Sequence, residues 1–514
     1  MILYFLLFSL FLSETFIFNE FRQLNYYIAL IFPVILFFVY KNRLKQIRIP
    51  KSGLFYLAFI ILSIISSSRA IDSEIGFNNI FVYISGLLII IFSFNLKEQL
   101  KKNLFKFIII SSVIFLLTYL INISFKLHLF NNSASLLYQY DHIQLGNLLV
   151  LPFIILFPNF LSWIFFVFVL FSYSRTAYLA LIIGIFTSIN NNFLKILIVL
   201  ITLTFLFVTT KNIFFTKNKK PFGFRNIYFN YAISSIRENP LFGVGPGNFY
   251  YAASKRLTNY NQNTTTAHNI LLDILAENGV LAALFFMLFI YLFINKAKKD
   301  IFFWLFISLT VIFLFDFSYR FNSFLFLWLL LLTMISNKKE SISVNSPLFF
   351  ILLLIVSQLI IVRESGYFKN SINPILFKKE IYFKEVEKEI IAYQPQKAIQ
   401  YLDNLGDNFD RNFTITRKKA FYYNILGQTG KSLLYYKKTV SLYPFILVLD
   451  PKIADKILKL NQDIYIDQKG TSEASQFFVD LVSNNESIKK NSQLYKSIND
   501  FCLNNGLKCY NNKN

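Results

Sequence analysis

Long apolar runs, broken by short polar and charged stretches, fill the chain from its start to about position 362. Allowing for blurred ends, runs long enough to cross a bilayer as helices fall near 1–18, 26–40, 53–68, 80–95, 107–125, 142–158, 160–173, 176–190, 193–210, 269–294, 301–317, 321–336 and 347–362. The pattern predicts an all-α polytopic membrane protein with about 12–13 transmembrane helices. From 363 onward the chain turns Lys-, Asn- and Gln-rich while keeping a helical period, which predicts a small soluble α-helical domain. Four regions follow: N-terminal spans over 1–210, a large loop over 211–267, C-terminal spans over 268–362, and the tail over 363–514.

Composition agrees. Of 514 residues 55% are hydrophobic and 63 are Phe, and the mean hydropathy is +0.50, which excludes an ordinary soluble protein. A net charge of +23 invites a nucleic-acid partner. The basic residues, however, lie mostly in short clusters between spans and in the tail, so topology accounts for much of the excess and no nucleic acid is expected. Lys41, Arg43, Lys45, Arg48 and Lys51 follow the second span; Lys97, Lys101, Lys102 and Lys106 the fourth. Lys296, Lys298 and Lys299 follow the tenth, and Lys338 and Lys339 the twelfth. All four clusters fall on one side, the cytoplasmic one by charge, whereas the opposite short loops carry single basics such as Arg22, Arg69 and Lys126. The loop 211–267 and the tail then lie outside the cytoplasm. The opening "MILYFLLFSLFLSETFIF" has no basic leader and no small-residue cleavage site, so it is read as a retained first span. Two cysteines exclude a disulfide framework or a four-thiolate zinc site; Cys502 and Cys509 either close a short disulfide or are free thiols.

The stretches that could carry chemistry gather at the non-cytoplasmic ends of the spans. "FSYSRTAYLALIIGIF" puts Arg175 at the mouth of a span, where it either snorkels or meets a lipid-linked phosphate. In the large loop Arg225, Phe229, Ala232 and Ile236 recur at helical spacing, so Arg225 shares an apolar face and calls for a nearby anion or carboxylate; Arg237 points away. "NPLFGVGPGNF" sets Gly243, Gly245 and Gly247 at alternate positions, either a sharp turn or a close approach to a ligand. It lacks the Lys-Ser/Thr ending of a nucleotide loop. In "TAHNILLDILAENG" Thr265 or Thr266 would cap the next span and place His268 in its first turn, where the helix dipole keeps an imidazole neutral. Read alone, His268 is either a capping residue or a base. Asp273 and Glu277 point away from it, one turn apart, and should share a contact inside the bundle. Asp72 and Glu74 in "RAIDSEIG", and the pair Asp141-His142, form no recognisable metal-ligand set and read as solvated loop ends.

Taken in order, "SRTA" opening a late span, a long outer loop ending in "NPLFGVGPGNF", and "AHN…ENG" opening the next span resemble the O-antigen ligase and polymerase superfamily, which includes bacterial protein O-oligosaccharyltransferases. The resemblance covers roughly 145–335. It implies a bundle related to the GT-C glycosyltransferases in the bacterial inner membrane, with its active site on the periplasmic face. The donor would be an undecaprenyl-diphosphate-linked oligosaccharide and the acceptor a hydroxyl on a glycan, lipid or protein. By motif position Arg175, Arg225 and His268 match the family's functional arginines and histidine, with Gly243, Gly245, Gly247 and Asn269 as substrate-binding candidates. Two arginines would stabilise the leaving diphosphate and His268 would be the general base of an inverting transfer, so no cofactor or metal is called for.

Ligase is the reading that motif order favours, with polymerase, protein O-oligosaccharyltransferase and, without chemistry, lipid-linked glycan transporter as alternatives. In the tail, "KKAFYYNILGQTGKSLLYYKKTVSLYP" resembles one tetratricopeptide repeat, or else is an unrelated helical hairpin. Such a domain would offer a surface for a protein partner.

Overall fold

The computed structural model describes Ile35 and residues 46–128, 142–188, 192–215, 224–256, 264–295, 297–336, 341–345, 358–363, 365–367, 373, 378–392, 394–405, 412–444, 446–450, 452–465, 468–483 and 492–507. All but one residue of the first two expected spans, most of the span near 347–362, Asp141, the His142 side chain and Cys509 lie outside the described residues.

Among the described residues ten apolar helices form the bundle, at the places the hydrophobic runs predict: α1 (Gly53–Ser68), α2 (Ser73–Asn95), α3 (Lys97–His128), α4 (His142–Leu156), α5 (Phe160–Phe171), α6 (Arg175–Ser188), α7 (Asn192–Phe215), α10 (Ile270–Ile294), α11 (Ile301–Phe315) and α12 (Asn322–Ile335). Between α7 and α10 the large loop carries α8 (Arg225–Glu238) and α9 (Phe249–Ser254). Within the described segments α2, α3 and α10 are long and apolar enough to cross a membrane; the other seven are shorter apolar helices. The chain is an all-α polytopic membrane protein.

These helices are apolar on both faces, as a bundle in lipid requires. Leu54, Leu57, Ile61 and Ile65 form an exposed stripe along α1, while Tyr56, Phe59 and Ile60 face inward. At the centre stands α12, buried along nearly its whole length. Its Trp328 ring stacks on Phe306 at 5.2 Å and on Phe286 at 6.2 Å, and the indole N–H donates to Thr310 Oγ1 at 2.8 Å.

One departure from the all-helical expectation is a small sheet. β1 (Gln46–Pro50) pairs antiparallel with β2 (Ser341–Asn345), Arg48 opposite Ser343. "QIRIP" and "SISVN" alternate β-branched with polar residues, but five residues of period two are drowned by the helical runs on either side. Asn95, at the end of α2, fixes the sheet by exchanging two hydrogen bonds with the Arg48 backbone, at 2.9 and 2.8 Å. At the same end Lys101 reaches Asp300 at 3.5 Å and the Lys97 ammonium donates to the Ser336 carbonyl. The basic clusters therefore mark one end of the bundle, and the large loop and tail occupy the other.

The tail forms antiparallel helix pairs: α13 (Lys379–Ile391) with α14 (Pro395–Asp403), α15 (Phe413–Ile425) with α16 (Thr429–Leu442), and, after the short α17 (Ile446–Leu449), α18 (Lys452–Tyr465) with α19 (Gln468–Ser483), followed by α20 (Ser492–Asn504). Lys379 and Phe413, which open two successive pairs, stand 34 residues apart, as do Pro395 and Thr429. Cys502 is buried and disulfide-bonded.

The tail packs on the large loop. Tyr231, Ala232, Phe249 and Ala253 share one core with Tyr436, Val440 and Tyr443, and the Tyr250 hydroxyl donates to that of Tyr443 at 2.6 Å. Lys379 completes the attachment: its ammonium meets Asp72 Oδ2 at 2.7 Å and its backbone N–H donates to Glu74 Oε2 at 3.0 Å. Asp72 and Glu74 are therefore not solvated loop ends. Both are buried, and Asp72 also caps α2 by accepting from the Ile75 N–H. Burial alone would lower the Lys379 pKa, but the two carboxylates outweigh it and hold the lysine above its ordinary value.

Candidate active site

The large loop is held against a break in α10. Gly279 has φ +83° and ψ 171°, which interrupts the helix and frees the carbonyls of Ala276 and Glu277. Val244 N–H donates to the first at 2.9 Å and Gly245 N–H to the second at 2.8 Å, while Val280 N–H donates back to the Pro240 carbonyl at 2.8 Å. The glycines make this close approach possible. Gly243 has φ +66°, and a Cβ on it would overlap the Glu277 backbone; a Cβ on Gly279 would overlap the Leu241 carbonyl. Gly245 and Gly247 lie against Ala70 and Asn79. The close backbone approach that the glycine spacing suggested is thus to protein, so the structure assigns Gly243, Gly245 and Gly247 to the interlock.

His268 sits outside the helix it was expected to begin. The N-cap of α10 is Asn269, whose Oδ1 accepts from the N–H groups of Leu271 and Leu272, both at 3.0 Å, and whose Nδ2 donates to the Leu314 carbonyl at 2.9 Å. Those bonds occupy the Asn269 side chain that was a substrate-binding candidate. Thr266 does not cap the helix; its hydroxyl accepts the His268 N–H at 3.2 Å. His268 itself has φ +56°. The only other non-glycine residue at positive φ among those described is Tyr173, two positions before Arg175. Left-handed backbone at a bulky residue persists only where the surroundings hold it, and both instances flank the predicted functional groups.

Helix α8 brings two side chains to His268 from one face, three residues apart. The Tyr228 ring stacks on the imidazole with centroids 5.2 Å apart and planes 16° from parallel. The edge of Phe317 closes the other side at 5.0 Å and 80°. His268 Nδ1 is buried without a hydrogen-bond partner among the described residues. Burial, and secondly the Arg225 guanidinium, bring the His268 pKa down to about 4 from the ordinary 6.5. The ring is neutral at physiological pH, as expected, although the cause is burial and an arginine rather than a helix dipole.

Arg225 lies within electrostatic reach of His268, Arg175 and Asp316. Burial lowers its pKa, Asp316 works to raise it and Arg175 lowers it further, yet an arginine so placed stays a cation. It makes no ion pair or side-chain hydrogen bond among the described residues, and Arg237, on the other face of α8, is exposed as predicted. The fold therefore gathers Arg175, Arg225 and His268 at the end of the bundle that carries the large loop.

Sequence reasoning passed over the connection between α11 and α12, "DFSYR". Asp316 faces Arg225 electrostatically and accepts from Asn147 Nδ2 at 3.0 Å and from the Ser318 hydroxyl. Phe317 packs on His268. Arg320 Nη2 bridges Asp273 Oδ2 at 2.9 Å and Glu277 Oε1 at 2.6 Å, and Tyr319 donates to Asp273. Asp273 and Glu277 do share a contact, as expected. The missed signal was an acid and a base four residues apart between two apolar runs, on the same side as the other candidates.

Against known proteins, residues 160–287 match a family model described as O-antigen ligase. No curated protein and no solved structure matches the chain. The matched region contains Arg175, Arg225, the glycine interlock and His268. The resemblance read from the motifs is thereby supported over that region.

Proposed function

We propose, from the premise that the chain carries an O-antigen ligase family domain over residues 160–287, that it moves a glycan from undecaprenyl diphosphate to an acceptor hydroxyl on the periplasmic side of the bacterial inner membrane. The observation that carries this reading is the convergence of Arg175 and Arg225 beside a neutral histidine with an unmatched buried nitrogen. Most buried polar atoms in proteins are hydrogen-bonded, so one without a partner calls for an explanation, and a reacting ligand beside two arginines supplies one here.

In this reading the acceptor oxygen attacks the anomeric carbon while a ring nitrogen of His268 takes its proton. The bond from that carbon to the diphosphate oxygen breaks, and the electron pair leaves on the diphosphate, whose growing charge the two arginines stabilise. Attack opposite the leaving group inverts the anomeric centre. The arginines supply the cationic charge, so transfer is expected to run without a divalent metal or other cofactor.

Arg225 makes His268 a weak base in the empty site. A bound diphosphate would offset that field and lift the histidine toward its ordinary value, so the base gains strength once the donor is in place. Premature hydrolysis would be suppressed by the same means.

The tail docked beside the large loop supports a second reading in which it selects the acceptor, as a polymerase or protein oligosaccharyltransferase would require. The 34-residue recurrence of its helix pairs supports a tetratricopeptide-like domain with a protein partner.

The test is transfer in membranes from purified undecaprenyl-diphosphate oligosaccharide, with EDTA present, comparing wild type with His268→Ala. Transfer by wild type and its loss in the variant supports the proposal. Equal transfer by both removes His268 from the mechanism, and a wild type silenced only by EDTA revives a metal. Lipid, glycan and protein acceptors offered separately decide among ligase, polymerase and oligosaccharyltransferase.

A further inference from the structure

We infer that Asn147 is a positioning residue that holds the Arg175 mouth and the Asp316 loop in register. It lies on α4, is fully buried, and its amide is saturated by two separate segments. Its Oδ1 accepts the hydroxyls of Ser174 and Thr176, both at 3.0 Å. Its Nδ2 donates to Asp316 Oδ2 at 3.0 Å and to Ser318 Oγ at 3.1 Å. Ser174 and Thr176 are the two chain neighbours of Arg175, so Asn147 grips the side chains on both sides of that residue. Asp316 is the carboxylate that supports the charge of Arg225. One amide thus ties together the settings of both arginines.

The chemistry selects asparagine. A short side chain must offer two acceptor sites on one atom and two donors on the next, which leaves the amide of Asn as the fit at this length. Aspartate would keep the acceptor sites but set a second carboxylate against Asp316. The preceding residue makes room for the contact: a Cβ on Gly146 would overlap the Ser172 hydroxyl, so Gly146 lets α4 approach the mouth closely. Three hydroxyls and a carboxylate meeting one amide inside an apolar bundle, where water is scarce, make the arrangement steeply preferred.

The inference rests on the proposed transfer reaction, in which Arg175 meets the diphosphate. It is tested by a double-mutant cycle in native membranes, measuring KM for the lipid-linked donor and kcat for wild type, Asn147→Ala, Arg175→Ala and the double variant. Expected is a donor KM raised about tenfold by Asn147→Ala, with no further rise when it is added to Arg175→Ala, because residues of one network do not add. Thr176→Val keeps the side-chain shape, removes one of the two hydroxyls, and should move KM in the same direction by a smaller factor. It serves as the deciding variant if Asn147→Ala does not accumulate in the membrane. Additive effects in the cycle, or a donor KM unchanged by Asn147→Ala or, in its place, by Thr176→Val, overturn the inference while leaving the transfer reading intact. An Arg175→Ala enzyme that equals wild type overturns both.

Discussion

Two charged clusters flank the start of α10, five residues apart at His268 and Asp273, and they treat charge in opposite ways. In one, Arg320 lies between Asp273 and Glu277, Tyr319 adds a donor, and every charge has a counter-charge at contact distance. In the other, among the described residues, Arg225 meets no carboxylate at contact, a second arginine lies within electrostatic reach, and the neighbouring histidine keeps a buried nitrogen without a hydrogen-bond partner. Charges paired at contact distance hold helices together, although Arg320 Nε, like His268 Nδ1, is buried without a hydrogen-bond partner among the described residues. A buried arginine with no carboxylate at contact among the described residues, beside a neutral base, would gain from the arrival of an anion. Both clusters contain arginines at the same end of the bundle, so position alone would not tell structure from chemistry; the bookkeeping of partners does.

The sharpest way to break the comparison is His268→Ala. It should reduce glycan transfer by about 10²–10⁴-fold, the usual contribution of a positioned base, without lowering thermal stability of the detergent-solubilised protein. Arg320→Ala should do the reverse. Leaving Asp273 and Glu277 buried without their counter-charge is expected to destabilise by about 3–5 kcal/mol, read as a lower melting temperature and poor accumulation in membranes. An Arg320→Ala protein as stable as wild type would mean that the cluster is not structural.

Arg225→Ala comes next, with transfer lowered about 10²–10³-fold through loss of charge stabilisation, partly restored in Arg225→Lys, again at unchanged melting temperature. A smaller effect is expected from pH. With the His268 pKa at about 4, the free enzyme carries a neutral ring above that value, so kcat/KM should stay level on acidification until pH approaches 4 and then fall as the imidazole protonates. The acid limb of kcat should lie higher, because bound diphosphate offsets Arg225. Coincident limbs would show that the donor does not act on the base. Smallest of all is Lys379→Met, which removes the contact between tail and bundle at Asp72; transfer to a small soluble acceptor should change by less than about tenfold, the range of a single buried pair.

Much of this was legible in the sequence because apolar length and motif order are local signals. The ten apolar described helices stand where the runs predict them, and Arg225 lies within electrostatic reach of both Arg175 and His268. What could not be read is what depends on partners distant in the chain. Lys379 reaches Asp72 across 307 residues, so "RAIDSEIG" read as a solvated loop end. Asn147 and "DFSYR" carry no motif of their own and acquire meaning only when α4 and α11 are brought together. Gly243 and Gly279 were visible as glycines, but Gly243 is needed because of the backbone at Glu277 and Gly279 because of the backbone at Leu241. The first turn of α10 was misread because Asn269 is a stronger cap than Thr266, with two N–H groups to accept.

The interlock at Gly279 also decides how molecules reach the reacting atoms. Lifting the large loop would strand the Ala276 carbonyl and the Val280 N–H in apolar surroundings, each at a cost of several kcal/mol. The loop is therefore a fixed roof, not a hinged lid. A donor whose polyprenyl chain already lies in the bilayer would have to enter sideways, sliding between helices with its diphosphate at the membrane lip. The acceptor would come from the aqueous side, through whatever porch the roof and the tail leave open. Two substrates arriving through separate doors need never exchange places, and product could leave by the second while the spent carrier withdraws by the first.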